Sequence, residues 1–243
     1  MILANTRHRF TREDAQLAIR LVASESEDEQ ERIQRQLADE GIDAILDDQR
    51  LPAALLSSRF GACASLPLFL YVMVRHAMLR AGERDRAMSD YLAATLLAFN
   101  AKGRAERISE ADDEVYDTLA SLLDDVNDGD PRRAFMVRVH LGHRALWISG
   151  MYPDHVEYRR WHRGGPDLSY FEELGRRGFE LAAEHRMAEQ YGMAELYANV
   201  AARFGLLRMV LTTFSDKLLF PNINTPERLM RQVQDEARWR ISA

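Results

Sequence analysis

A single cysteine, Cys63, stands in 243 residues. That excludes an internal disulfide and any multi-cysteine metal site, and it fits a reducing, cytoplasmic compartment. Its Ala-Cys-Ala surroundings predict a buried, inert thiol, nucleophilic only if a histidine came close in space. Long apolar runs are missing as well. The longest, Leu66 to Val74, falls far short of the ~20 residues a membrane span needs. Met1 to Arg9 has only a short apolar tip and lacks a signal-peptide core. No Glu-x-x-His, His-Glu-x-x-His, Gly-x-x-x-x-Gly-Lys or Gly-x-Ser-x-Gly occurs, so di-iron, zinc-protease, P-loop and hydrolase-elbow chemistry find no motif here. Neither metal nor cofactor is expected. Strand-like alternation, internal repeats and low-complexity tracts are absent too.

What is present is apolar residues at helical spacing, within an ordinary 47% hydrophobic content. Charge is uneven along the chain. Residues 1–130 hold 15 basic against 25 acidic side chains, a balance of −10, and residues 131–243 hold 17 against 13, a balance of +4. The acidic total argues against general nucleic-acid binding, which leans on phosphate neutralisation. Two oppositely charged halves, or a dimer using the difference, account for the asymmetry.

Start and stop signals punctuate the helices. Thr11 caps a helix through Val22, and Ser24 with Glu27 forms a capping-box pattern for a charged helix ended by Gly41. Residues 42–58 read as short helical pieces interrupted at Pro52. Pro67 opens a helix that is apolar on nearly every side through Leu79, the pattern of a buried helix. Helices follow with Met88, Leu92, Leu96 and Phe99 inside, then from Ser109 with Val115, Leu119 and Leu122 inside. Asp130-Pro131 opens another, burying Phe135, Val139, Gly142 and Leu146. Residues 151–163 read as helical, Gly164-Gly165-Pro166 as the clearest break, and Asp167 as the next cap. Met193 to Phe220 shows a near-heptad run, and Thr225-Pro226 starts a last helix with Met230, Val233 and Ala237 on its buried face. The fold expected is all-α: a single domain over 1–243 of about nine to eleven helices around a buried central helix 66–81, with 1–60 as a peripheral helical segment.

Polar residues inside apolar patterns are the candidates for chemistry. Arg75 and His76 interrupt the most apolar helix. The bland account of Arg75 is an ion pair with an acid such as Asp90, and the sharper one is a polar spot gripping a carboxylate or phosphate. His140 and His143 share a helix face, a spacing open to one metal if His155, Asp154 or His162 joined them, although buried or surface histidines are the commoner case. Arg159, Arg160 and Arg163, with Arg176 and Arg177 on the next helix, form a candidate anion patch beside Tyr158 and Trp161. Pairing with Glu157, Glu172, Glu173 and Glu180 is the plainer reading. Gly175, Gly178 and Ala182 mark a face where another helix approaches closely.

The run Leu141-Gly142-His143-Arg144-Ala145-Leu146-Trp147-Ile148-Ser149-Gly150-Met151-Tyr152, with Asp167-Leu168-Ser169-Tyr170-Phe171 and Gly175, resembles a family of uncharacterised bacterial all-helical proteins. The resemblance covers roughly residues 85–215 and implies the all-helical fold but no activity. That family's pattern often has Asp where this chain has His143, so acid chemistry at that point is missing here.

Two functions follow as expectations. The first is a non-enzymatic cytoplasmic interaction or regulatory protein, homodimeric or bound to a protein partner, without nucleic acid or membrane. The alternative is a small-molecule binder or enzyme with a polar pocket between helices, drawing on Arg75, His76, His140, His143 and Tyr170.

Overall fold

Several helices begin where a short polar side chain can take up a backbone N–H that the first turn leaves orphaned. In the computed structural model, which describes residues 2–23, 27–109 and 114–242, Thr11 accepts from the Asp14 amide at 3.2 Å while Asp14 accepts from the Thr11 amide at 3.0 Å. Ser65, Asp130, Asp167 and Thr225 cap in the same manner. The resulting fold is all-α, with 74% helix and no strand among the described residues.

Those residues form two compact units, Ile2–Ala98 and Phe99–Ala243. The N-terminal unit carries α1 (Arg12–Val22), α2 (Glu27–Glu40), α3 (Ile42–Leu46), α4 (Leu51–Ser57), α5 (Leu66–Arg80) and α6 (Arg86–Phe99), the last ending at the boundary. The C-terminal unit carries α7 (Leu119–Asp124), α8 (Pro131–Met151), α9 (Pro153–Arg163), α10 (Leu168–Ala183), α11 (Arg186–Gln190), α12 (Ala194–Ala202), α13 (Phe204–Phe214) and α14 (Pro226–Ser242). Fourteen helices among the described residues, against about nine to eleven expected, is a difference of short pieces: eleven have seven residues or more.

Helix α5 is buried as its composition requires, with every residue from Leu68 to Met78 except Phe69 out of solvent. Its start is pinned to α1, because the buried Asp14 carboxylate accepts from the Ser65 amide at 3.0 Å and the Ser65 hydroxyl at 2.8 Å. In the C-terminal unit α8 packs along α10 on a glycine face. A methyl group at Gly178 would lie 2.9 Å from both the Arg138 carbonyl oxygen and the Gly142 amide nitrogen. The close approach read from Gly175 and Gly178 is therefore a contact within the chain.

Other expectations are corrected. The helix expected from Ser109 is not continuous through Leu119: residues 110–113 lie outside the described residues, 114–117 carry no regular secondary structure, Val115 is exposed, and α7 begins after Thr118, which caps by accepting from the Ser121 amide. Pro52 lies in the first turn of α4 and does not interrupt it. The near-heptad run is cut at Arg203 into α12 and α13 and ends in a π-helical turn over Ser215–Leu219. On α14 the apolar face points outward: Met230 is 57% and Val233 65% exposed, while Arg228 and Arg231 are buried. Cys63 is exposed. Ser24 and its capping box lie outside the described residues.

Candidate functional site

The residues flagged from sequence separate into distinct places. Arg75 and His76 belong to the N-terminal unit, in a cleft of about 810 Å3 also lined by Asp47, Gln49, Arg80, Arg84 and Arg86. Arg75 makes its ion pair with Asp47, not Asp90: Nε and Nη2 donate to the two carboxylate oxygens at 2.8 and 3.0 Å. Its Nη1 reaches the Arg84 carbonyl at 2.9 Å. Asp90 turns elsewhere and accepts from the Arg7 amide at 2.9 Å. Burial raises the Asp47 pKa, but hydrogen bonds from Arg75 and Arg86 outweigh it and hold the carboxyl below its ordinary value. The His76 ring is 2.9 Å from the Leu46 carbonyl, and burial pushes its pKa down, keeping it neutral near pH 7.

His140 and His143 lie inside the C-terminal unit, each 2% exposed, among aromatic rings: Phe99 sits against both and Phe179 against His143. Burial, then the charges of Arg104 and Arg144, lower the His140 pKa to about 3, and burial also holds His143 well below its ordinary value. Neither reaches Asp154 or His162 as partner. Asp154 pairs with Arg231 at 2.9 Å and His162 lies 3.1 Å from Glu227. Among the described residues no three His, Cys, Asp or Glu side chains converge in a way that could hold a metal ion. The pair reads as core packing.

The candidate anion patch is mostly spent on neighbours. Arg176 pairs with Glu173 and Glu180 at 2.6 Å, Arg177 with Glu180 at 3.4 Å, and Arg160 with Glu157 at 3.4 Å. Arg163 is exposed at the end of α9. Arg159 differs, because it lines a cavity.

That cavity, about 590 Å3, is built by the end of α8, the first two turns of α9, the start of α10 and the approach to α7. Its wall is largely apolar and aromatic, with Leu119, Ile148, Tyr152, Val156, Tyr170 and Phe171, and its polar points are Arg144, His155 and Arg159 together with Asp117 and Thr118. Asp167 positions the α10 side, since capping through the Tyr170 amide fixes where the Tyr170-Phe171 pair emerges. Arg144 is the unusual member. Only 6% exposed, it donates to the backbone carbonyls of Tyr116 and Asp117, the latter at 2.7 Å, and no carboxylate among the described residues pairs with it. Burial presses its pKa down against the pull of the Glu106 and Asp117 charges. Two of the five N–H donors of a guanidinium are used in those bonds. No carboxylate among the described residues touches this buried cation directly: two backbone carbonyls meet it, and the Asp117 and Glu106 side chains act on it only at longer range.

No family model, curated protein or solved structure matches this chain. The chemistry of the cavity therefore has to speak from its own residues. Sequence reading singled out Tyr170 but passed over Arg144, although the signal was the same as at Arg75: a guanidinium embedded in an apolar helical run. It also missed Arg208, Arg228 and Arg231, buried and bound to Glu172, Asp154, Asp216 and Asp235.

Proposed function

We propose that this protein binds a small amphipathic anion, an aromatic or aliphatic body bearing a carboxylate or similar group, in the C-terminal cavity. The observation that carries the reading is Arg144, a buried guanidinium lining an apolar cavity with carbonyl partners alone. A ligand carboxylate there would supply the direct anionic partner that Arg144 lacks, through a forked, charge-assisted pair, the strongest ordinary hydrogen bond available. Tyr152, Tyr170 and Phe171 offer ring surface to the body of the ligand, and 590 Å3 falls in the range of small-molecule sites.

The test uses 8-anilinonaphthalene-1-sulfonate and a series of aryl carboxylates paired with their neutral amides, read by fluorescence and calorimetry. Anions are expected to bind at least about tenfold more tightly than the amides, a preference that Arg144→Met abolishes. Ile148→Trp, which fills the cavity without touching charge, is expected to block both. Equal binding of acid and amide by the wild type would refute the assignment.

The interaction reading keeps one observation in its favour, the outward apolar face of α14 at Leu229, Met230 and Val233. A second copy of the chain is the partner that reading names, since two-fold dimers dominate soluble assemblies. Light scattering that found a monomer up to roughly 100 μM, far above nanomolar to micromolar dimer affinities, would reject it.

A further inference from the structure

The cleft of the N-terminal unit does not balance its charge. Four arginines line it with one carboxylate, Asp47, and the neutral His76 adds nothing to the count. Arg75 is fully committed, 2% exposed and bonded to Asp47, the Arg84 carbonyl and the Ser89 hydroxyl. Arg86 shares the same carboxylate, donating to it at 2.7 Å, and reaches Asp43 at 3.4 Å. Asp47 is thus neutralised already. Arg80 and Arg84, both exposed at the rim, make no side-chain hydrogen bond or ion pair among the described residues. They flank the turn at Gly82, whose φ of +79° suits glycine, and the Arg75 bond to the Arg84 carbonyl anchors that turn to the cleft floor.

We propose that this cleft is a second ligand site, for a small, multiply charged phosphate-bearing anion. Arg80 and Arg84 grip it, and the Asp47–Arg75 pair is the scaffold that holds the rim in place. Guanidinium forks match phosphate oxygens, and several cations around a concave wall focus the field in a way that scattered surface arginines do not. A single carboxylate would leave part of the surplus uncompensated, whereas a pyrophosphate-like group answers both free arginines. A long polyanion suits the site less well. Residues 1–130 carry a balance of −10 that repels a nucleic-acid backbone away from the cleft, while about 810 Å3 accommodates a small ligand. No residue is shared with the C-terminal cavity.

Calorimetric titration with inorganic pyrophosphate at roughly 50 mM salt, where screening is modest, tests the proposal. Saturable one-to-one binding is expected, tighter than for sulfate at matched ionic strength. Arg80→Gln combined with Arg84→Gln should weaken it at least about tenfold, with the helical circular-dichroism spectrum unchanged. Arg12→Gln, an exposed arginine outside the cleft, and Arg144→Met should leave it as it is, the latter separating this site from the C-terminal one. The proposal is overturned by no saturable heat at millimolar pyrophosphate, by undiminished binding in the double variant, or by no preference over sulfate. It is equally overturned if a single-stranded oligonucleotide binds more tightly than pyrophosphate through the same two arginines.

Discussion

Alanine at Gly178 would put a methyl group where the backbone of α8 already runs. It would stand 2.9 Å from the Arg138 carbonyl oxygen and the Gly142 amide nitrogen, and 3.3 Å from the Gly142 Cα. None of these atoms is the end of a flexible side chain, so the helices themselves have to part. At Gly175 the methyl would meet the Phe204 ring at 2.1 Å and the Ala145 Cβ at 2.9 Å, and Phe204 is only 2% exposed. On an unobstructed helix the same substitution gains up to about 1 kcal/mol of propensity. Overpacking a closed interface costs ~1–3 kcal/mol, more when backbone must move. We therefore expect Gly178→Ala and Gly175→Ala to destabilise by about 2 kcal/mol net, which for a chain of this length lowers Tm by roughly 4–8 °C. Gly205, with nothing within 4 Å of its Cβ position, supplies the opposite sign: its alanine variant should be neutral or stabilised by up to about 1 kcal/mol. Urea unfolding followed at 222 nm reads all three. A Gly178→Ala variant as stable as Gly205→Ala would refute the close-packing argument. Since α8 carries Arg144 and Ile148 and α10 carries Tyr170 and Phe171, parting these helices should also weaken anilinonaphthalene binding in the cavity.

The remaining predictions are shorter. His140 and His143 have folded-state pKa values below the unfolded one, so the unfolded chain takes up protons first as pH falls. Stability should be flat for this pair above about pH 6.5 and lost below it at up to ~1.4 kcal/mol per histidine per pH unit. A urea midpoint unchanged between pH 7.5 and 5.5, or the same slope in His140→Phe, would contradict this. Arg231→Met leaves Asp154, Asp216 and Asp235 without the cation that bridges them at 2.8 to 3.2 Å, and should cost about 3 kcal/mol by chemical denaturation. Val233→Lys, on the outward face of α14, should change stability by less than about 0.5 kcal/mol, where a buried valine would have cost several times that.

Legibility differed by kind of residue. The caps at Thr11, Asp130 and Asp167 could be read directly, because an N-cap depends on atoms within three residues of itself. Thr118 was passed over because the preceding segment, with Val115 and Leu119 four apart, imitates one helical face. Helix α14 misled for a related reason. Periodicity shows that Met230 and Val233 share a face but not which way it turns, and three buried-side carboxylates claimed the arginine face instead. At the sites, Arg75 was visible as a cation in an apolar run, yet its partner lay 28 residues earlier in the chain, at Asp47, where no local spacing points.

From its sequence alone, this protein is fixed as helical, with the buried character of α5 and the glycine face of α10, because each depends on side chains three or four positions apart. Only the tertiary structure decided which cation meets which acid, where the arginine surplus gathers, and that Arg144 borders a cavity with carbonyls for company. Those outcomes rest on groups far apart in the chain that compete for one another across packed helices, and no local pattern records who wins.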